Sequence, residues 1–273
     1  MVIPMPKYWI RQVKFITDRV EIEVPDIEIE FNIEFSDESN GNIGHIKFYN
    51  LSNSTIDKLK VDKSFILRAG YKEHSGVILP GIIKRPVTQW EKADKVTTLM
   101  VGDNTDAWLK STINKTWKAG STSDEIARQI IQQTGLSIGE INLVNNVSYE
   151  KGLTFSTTCR KALEEIAADT GTKLHSSRGK IYLRPENSAN RRAILLNSDT
   201  GLISSPEKIQ EDEEDAVEKY SVMSLLNYKI QTDSLIKLDS NTVKGNFRVI
   251  NGEHICEGDN FNTSMEVERI ASN

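Results

Sequence analysis

The residues best placed to do chemistry are carboxylates on one strand face. Val20, Ile22 and Val24 alternate with Glu21 and Glu23. After a phase shift at Pro25-Asp26, Ile27, Ile29, Phe31, Ile33 and Phe35 alternate with Glu28, Glu30, Asn32 and Glu34. A period of two sets apolar groups on one face and charge on the other. Almost no basic residue is interleaved, so the like charges repel and add no stability of their own. One chemistry for such a face is plain solvation. The other is the wall of a passage: a negative surface does not adhere to phosphate, so a polyanion such as DNA could slide by without binding. Glu266 and Glu268 repeat the pattern near the C-terminus. Glycosidase chemistry would instead need two carboxyls with separated pKa values in one cleft. Here the acids are spread over strand faces and a loop, and an aromatic content of 7% gives no sign of a sugar-stacking groove.

Other reactive types are sparse. The histidines are His45, His74, His175 and His254, none at HExxH-type spacing. His254 and Cys256 share a strand face, but two ligands are too few for a metal site. There is no phosphate-cradling glycine loop, GxSxG elbow or CxxC. No catalytic residue, metal or cofactor is therefore expected. Cys159 lies near a helix N-terminus, where a thiol pKa can fall, although a buried inert thiol is the plainer reading. Glu211 to Asp215 is a carboxylate run without the turn glycine and spaced oxygens of a calcium loop, and reads as a solvated loop. Trp90 is the one aromatic that could serve a binding loop; packing in the core or at the end of a barrel is the plainer expectation.

These residues must be positioned by elements, and the chain length bounds those. With 273 residues there is room for about two domains at ~150 residues each. Apolar content of 38% and charged content of 27% fit a folded chain. No apolar run is long enough to span a membrane as a helix, and Met1 to Tyr8 does not read as a signal peptide. Lys+Arg 34 against Asp+Glu 39 gives −5, which argues against nucleic acid held by bulk charge. Two cysteines supply no disulfide framework.

The carboxylate stretch reads as a long strand bent at Pro25. Short strands follow at Ile46–Tyr49, Phe65–Tyr71 and Val96–Val101, separated by Gly/Asn/Ser/Asp clusters. Short strands with regular turns suggest a sandwich or barrel. In the middle, Thr122-Ser123-Asp124-Glu125 is a capping box, Ile126, Ala127, Ile130 and Ile131 follow at helical spacing, and Gly135 is a stop. A second helix is expected over about 157–169, ended by Gly171, followed by a hairpin from Lys173 to Leu183. Both helices contain Glu-Ile-Ala and end at Thr-Gly, with internal spacings four residues apart, which reads as convergent helix chemistry. Strand patterns return with Val243 to Val249, a hairpin turn at Asn251-Gly252, then His254 to Cys256 and Phe261 to Val267. The expected order is a β unit (1–107), a small α+β unit (108–185) and a β unit (186–273).

Several stretches resemble one family. Ile46-Lys47-Phe48-Tyr49-Asn50-Leu51-Ser52 with Thr55, Arg68-Ala69-Gly70-Tyr71, Gly81-Ile82-Ile83, Leu196-Asn197, Thr200-Gly201-Leu202-Ile203, Ser205-Pro206 and Ser224-Leu225-Leu226-Asn227 are similar, in order, to segments of phage tail baseplate hub proteins. Gly120 and Lys151-Gly152, before the two helices, fit as well. The stretches resemble the XkdQ-like hub of contractile-tailed prophages. More distant are the late control protein D group and the hub part of type VI secretion spikes. One departure is Tyr228 to Ser234, which lacks proline where a Pro-Gly-like turn is expected.

The resemblance implies a mainly β fold: two related tube-type β-barrel domains separated by a small two-helix α+β domain. It implies a structural, non-enzymatic role in the virion tail, assembled in the host bacterial cytoplasm. Three chains would form a homotrimer whose six barrels imitate the six-fold tail tube above the trimeric spike. Partners would be the tail tube protein, the spike protein and the tape measure protein, with DNA only as passing cargo. Glu21, Glu23, Glu28, Glu30, Glu34, Glu266 and Glu268 would be the channel-lining carboxylates. No lysozyme or spike segment follows, so cell-wall digestion is expected from a partner. Two rival readings remain: a carbohydrate or host-surface binding module presenting loops such as Ser36 to Gly44, and a peptidoglycan hydrolase.

Overall fold

The computed structural model describes residues 10–36, 42–103, 110–185, 193–209 and 217–270. The acidic run Glu211 to Asp215 and most of the Ser36–Gly44 loop fall outside them. The chain divides into two compact units. Of the described residues, one comprises 10–36, 42–102, 193–209 and 217–270; the other comprises 103 and 110–185. The fold is mainly β, with a few short helices and one large, mostly antiparallel sheet.

The first segment of the large unit holds β1 (Arg11–Ile16), β2 (Glu21–Glu23), β3 (Ile29–Ser36), β4 (Ile43–Tyr49), the short α1 (Asn53–Ile56), β5 (Ser64–Tyr71), β6 (His74–Glu91) and β7 (Asp94–Gly102). The second unit holds β8 (Thr112–Trp117), β9 (Ser121–Thr122), α2 (Ser123–Thr134), β10 (Ser137–Ile141), β11 (Ser148–Tyr149), β12 (Leu153–Thr158), α3 (Cys159–Thr170), β13 (Lys173–Ser177) and β14 (Lys180–Arg184). The last segment returns to the large unit with β15 (Ile194–Leu196), β16 (Glu207–Ile209), β17 (Lys219–Leu225), β18 (Leu235–Asp239), β19 (Lys244–Glu257) and β20 (Asn260–Arg269).

Within the large unit the same arrangement occurs twice. The spatial order β4-β7-β6-β5 in the first half is matched by β17-β20-β19-β18 in the second. β4 and β17 are both seven residues long. Ile43 pairs with Gly102 and Tyr49 with Val96; Lys219 pairs with Glu268 and Leu225 with Asn262. The long hairpins agree residue for residue. Ile83 pairs with Val101 and, after a bulge, Arg85 with Met100, down to Glu91 with Asp94. Val249 pairs with Val267 and, after the same bulge, Asn251 with Glu266, down to Glu257 with Asn260.

Bonds outside the ladders repeat too. Asp62 N donates to Ile83 O (2.8 Å), as Asp233 N does to Val249 O (2.9 Å). Both aspartates lie in the left-handed region, at φ 63 and 62. Asn50 N donates to Lys95 O, and Leu226 N to Phe261 O. The halves differ at one place: β1 runs antiparallel to β5, whereas β15 runs parallel to β18.

Each half-sheet is rolled. In the first, residues 21–36 meet both ends of the strand run, β2 pairing β1 and β3 pairing β4. The bend falls between β2 and β3, around Pro25 as the phase shift predicts. Rolling brings Phe15 of β1 within 5.1 Å of Phe48 of β4, ring to ring, although β7, β6 and β5 separate those strands in the sheet. In the second half, the segment from β15 to β16 does the same. β15 pairs β18, while Leu202 and β16 pair β17. Two apolar cores result, around Phe15, Phe48 and Leu67, and around Phe247, Ile236 and Val267. Each such buried side chain stabilises the fold by about 1.5–3 kcal/mol.

The Asn251-Gly252 turn expected from sequence is not formed. Both residues lie inside β19 at its bulge, and the chain reverses at Gly258-Asp259. Gly252 is there for closeness: a Cβ would lie 2.4 Å from Ser264 O and 2.7 Å from the Phe35 ring. The pattern Asn-Gly indicates a turn only where no neighbouring strand claims its backbone, and here two do.

In the second unit, α2 and α3 pack on β10-β14-β13 and on the β8–β12 ribbon. The expected capping box is present: Thr122 Oγ1 accepts from Glu125 N, and Glu125 Oε2 accepts from Thr122 N. Thr158 caps α3 by the same bond to Lys161 N. The helices are both 12 residues long, and both end at a left-handed glycine, Gly135 and Gly171. Their buried residues fall at identical offsets, Ser123, Ile126, Ala127, Ile130, Ile131 and Thr134 against Cys159, Ala162, Leu163, Ile166, Ala167 and Thr170. Aligned on their caps, the two helices coincide without the four-residue shift that Glu-Ile-Ala suggests.

Candidate functional site

The two half-sheets meet at one seam. β3 pairs on one side with β4 and on the other with β19, from Asn251–Ser36 to Cys256–Phe31. β19 can do this because its bulge releases it from β18: residues 244–248 pair with β18 and 251–256 with β3. β3 serves both cores, since Phe31 and Ile33 pack in the first and Phe35 in the second. On the core side, Cys256 packs against the first half's core and its Sγ lies 3.4 Å from Ile29 O. Burial pushes that thiol up to about 12. Arg11 clamps the β19–β20 turn by donating to Gly258 O and Asp259 O, with its guanidinium over the Phe261 ring.

The outer face of the seam is polar. Glu34 lies directly opposite Glu253, and Asn32 Nδ2 donates to Glu253 Oε2 at 2.8 Å. Beside them Glu30, Phe31, Asn32, His45, Lys47 and Glu257 bound a groove of about 190 Å³. Lys47 Nζ sits 3.8 Å from Glu30 and 3.6 Å from Glu257. Tyr49 donates its hydroxyl to Glu30 at 2.7 Å; burial first, and then this carboxylate, raise the phenol pKa.

The seven sequence-expected carboxylates therefore do not form one bare wall. Glu21 and Glu23 both pair with Lys14 of the neighbouring β1. Glu30 meets Tyr49 and Lys47. Glu266 accepts from Asn251 Nδ2 at 3.0 Å, and Glu268 from Arg248 Nε at 2.6 Å. Among the described residues, the side chains of Glu28 and Glu34 show no hydrogen bond or ion pair. Sequence periodicity missed these cations because each stands on a neighbouring strand and not within the alternating stretch itself; only register reveals them. Glu253 and Glu257 were missed as well, because the Asn251-Gly252 turn placed them on a separate strand.

Other candidates resolve simply. His254 is buried, with Nδ1 2.9 Å from Thr263 Oγ1 and Nε2 3.1 Å from Ile230 O. Because a carbonyl can only accept, Nε2 carries hydrogen in this arrangement. Cys159 is the first residue of α3 and fully buried, and its burial raises the thiol pKa. Among the described residues, no three His, Cys, Asp or Glu gather as a metal site. Trp90 is not packed: it is 72% exposed near the tip of the β6–β7 hairpin, where β6 has run past the core.

No family model matches the chain, and no curated protein does. Solved structures do. The tail protein from Neisseria meningitidis MC58 matches with a TM-score of 0.68 at 10% identity, over 96% of this chain and 97% of that one. The 43 kDa tail protein of prophage MuSo2 from Shewanella oneidensis matches with 0.68 at 9%, over 95% and 98%. The E. coli c3393 protein matches with 0.66 at 10%, over 94% and 77%. That protein is a component of the type VI secretion system and is structurally similar to the T4 bacteriophage tail proteins gp27 and gp5. At these identities the likeness is one of fold. This chain has the fold of phage tail proteins, across nearly its whole length.

Proposed function

We propose that this chain is a structural hub of a phage or phage-like tail baseplate. Three copies close a ring that joins a six-fold tail tube to a three-fold spike. The observation that carries the reading is the repeated register of the large unit. One chain offers two halves alike in strand order, bulge position and turn, so three chains present six similar faces. In this reading each half is a tube-type barrel, contributed by 1–107 and 186–273, with 108–185 as the α+β insert. The matches to tail proteins support the setting, the virion tail, and a role in assembly rather than catalysis. Velocity sedimentation of the chain with its tube and spike proteins tests the reading. A trimer in the complex is expected; a chain that stays monomeric with both partners overturns it.

The carboxylate face is proposed as the wall of the ring's channel. Glu28 and Glu34 are its bare charges, while Glu21, Glu23, Glu30, Glu266 and Glu268 are moderated by neighbours. Glu28→Lys with Glu34→Lys should leave particles that assemble and deliver DNA poorly. Normal delivery by normal particles would remove the channel assignment alone.

One observation favours a carbohydrate-binding reading: the exposure of Trp90. A glycan array separates the two, since that reading needs glycan capture that Trp90→Ala abolishes. The peptidoglycan hydrolase reading needs a cleared zymogram.

A further inference from the structure

The seam inside the chain has counterparts in two strand edges that are left unpaired among the described residues. β19 leaves β18 at its bulge, and its freed edge, Asn251 to Cys256, is taken up by β3. β6 carries the same bulge and leaves β5 at Ile82. Its edge from Arg85 to Trp90 is the counterpart of Asn251 to Cys256, and among the described residues no strand pairs with it. The counterpart of β3 is β16, because each is the outer neighbour of the equivalent strands β4 and β17. The far edge of β16 is the end of the sheet and also unpaired among the described residues.

From these correspondences, and resting on the trimeric reading above, we propose that the β6 edge of one copy pairs antiparallel with β16 of the next. The in-chain joint would thereby repeat between chains. Its register follows. Ile43 and Lys219 are equivalent, so Glu34 corresponds to Ile209, Ile33 to Lys208 and Asn32 to Glu207. Glu253 corresponds to Val87. The in-chain pairs Glu253–Glu34, His254–Ile33 and Ile255–Asn32 become Val87–Ile209, Thr88–Lys208 and Gln89–Glu207.

Three features fit a second copy as the occupant. The opposed carboxylates Glu253 and Glu34 are replaced at the new seam by two apolar residues, Val87 and Ile209, which attract where the others repel. Trp90 corresponds to Cys256, whose side chain packs against the core of the other half. The exposed indole is thus aimed where the second-half core of the next copy would receive it, and that half leaves Leu195 and Ile203 exposed at 40% and 49%. Pro86, the counterpart of Gly252, brings no N–H, so the edge is shortened by one donor; a proline on an open edge limits pairing with the wrong strand. Because β6 meets β16 and not another β6, the contact is head-to-tail and can close into a ring.

Disulfide trapping in the full chain tests this. Antiparallel partners lie about 4.5–5.5 Å apart at Cα, inside the range a disulfide spans. Val87→Cys with Ile209→Cys should give a covalent trimer on a non-reducing gel, and Thr88→Cys with Lys208→Cys should do the same. Each single variant should give none alone, and a covalent dimer when V87C is mixed with I209C. Glu34→Cys with Glu253→Cys, which should close within one chain, shows that the oxidising conditions suffice. A sedimenting trimer in which neither double variant cross-links overturns the strand assignment and leaves the hub reading standing. A chain that neither cross-links nor sediments as a trimer with its partners overturns both.

Discussion

Arg248 of β19 and Glu268 of β20 are direct cross-strand partners joined at 2.6 Å through Nε, while the Arg248 Nη1 reaches Asp233 Oδ1 at 2.7 Å. Arg248 is 4% exposed, Asp233 7% and Glu268 16%. The equivalent pair in the first half is Ile82 and Gly102, with no charge at all. The triad therefore belongs to the second half alone, where it holds the turn at Asp233 against β19. Arg248→Met strands two acids in a nearly water-free site and should cost about 3–5 kcal/mol. Urea unfolding measures this, and a loss below ~1 kcal/mol would remove the triad as a structural pin.

Gly252 and Gly258 lie in one hairpin and should respond oppositely to a side chain. At Gly252 a Cβ collides with Ser264 O and the Phe35 ring, so Gly252→Ala should destabilise by roughly 1–3 kcal/mol. Gly258 has open space around it and a φ of 54, which asparagine tolerates. Gly258→Asn should leave the thermal midpoint nearly unchanged. Equal midpoints for both variants would contradict the close approach at the seam.

The caps of α2 and α3 are the same device used twice. Thr122→Ala and Thr158→Ala should each cost ~1 kcal/mol. Hydrogen exchange should show faster opening of the first turn of the helix whose cap is lost, and of that helix only.

Arg269 Nε donates to Glu218 Oε2 at 2.6 Å and, foremost by that bond, holds the Glu218 carboxyl below its usual 4.5. A carboxyl depressed in the folded state contributes stability that is complete above its unfolded pKa. That contribution is lost as pH falls through the lower folded value. Stability should thus decline below 4.5, only weakly, because the pair is exposed to solvent. A side-chain NMR titration checks it: the Glu218 midpoint should rise towards 4.5 in Arg269→Ala, and an unmoved midpoint contradicts the pairing.

Glu34 and Glu30 share a strand face but not an environment. Glu34 faces Glu253, so Glu34→Gln should be neutral or stabilising by about 0.2–1 kcal/mol. Glu30→Gln weakens the bond from Tyr49 and the pairing with Lys47, and should destabilise by ~1 kcal/mol. Chemical unfolding of the two variants decides; the same sign for both would show that one wall of equivalent charges is the better description.

The local chemistry was legible in the chain itself. Strict alternation from Ile27 to Phe35, the capping box at Thr122 and the stops at Gly135 and Gly171 depend on neighbours within a few residues, so a linear reading suffices for them. The same holds for the hairpin reversing at Arg178-Gly179 and for the final strand from Phe261 to Val267. Failures occurred where a distant strand decides. Asn251-Gly252 has turn-forming residues, yet β3 and β20 hold it straight. Trp90 reads as packing material, yet β6 carries it beyond its own core.

What the amino-acid order determined alone is thus the two helices with their caps and stops, and the alternating apolar faces of strands such as β3 and β20, because periodicity and capping act over a turn or a pleat. Tertiary structure alone decided that the outer two segments build one sheet, that they repeat each other's register, and that Lys14, Lys47 and Arg248 attend the carboxylates. Those are cross-strand relationships, between residues seven positions apart for Lys14 and Glu21 and 221 apart for Asn32 and Glu253. They are set by which edges meet when two rolled sheets share β3, and no local pattern encodes that choice.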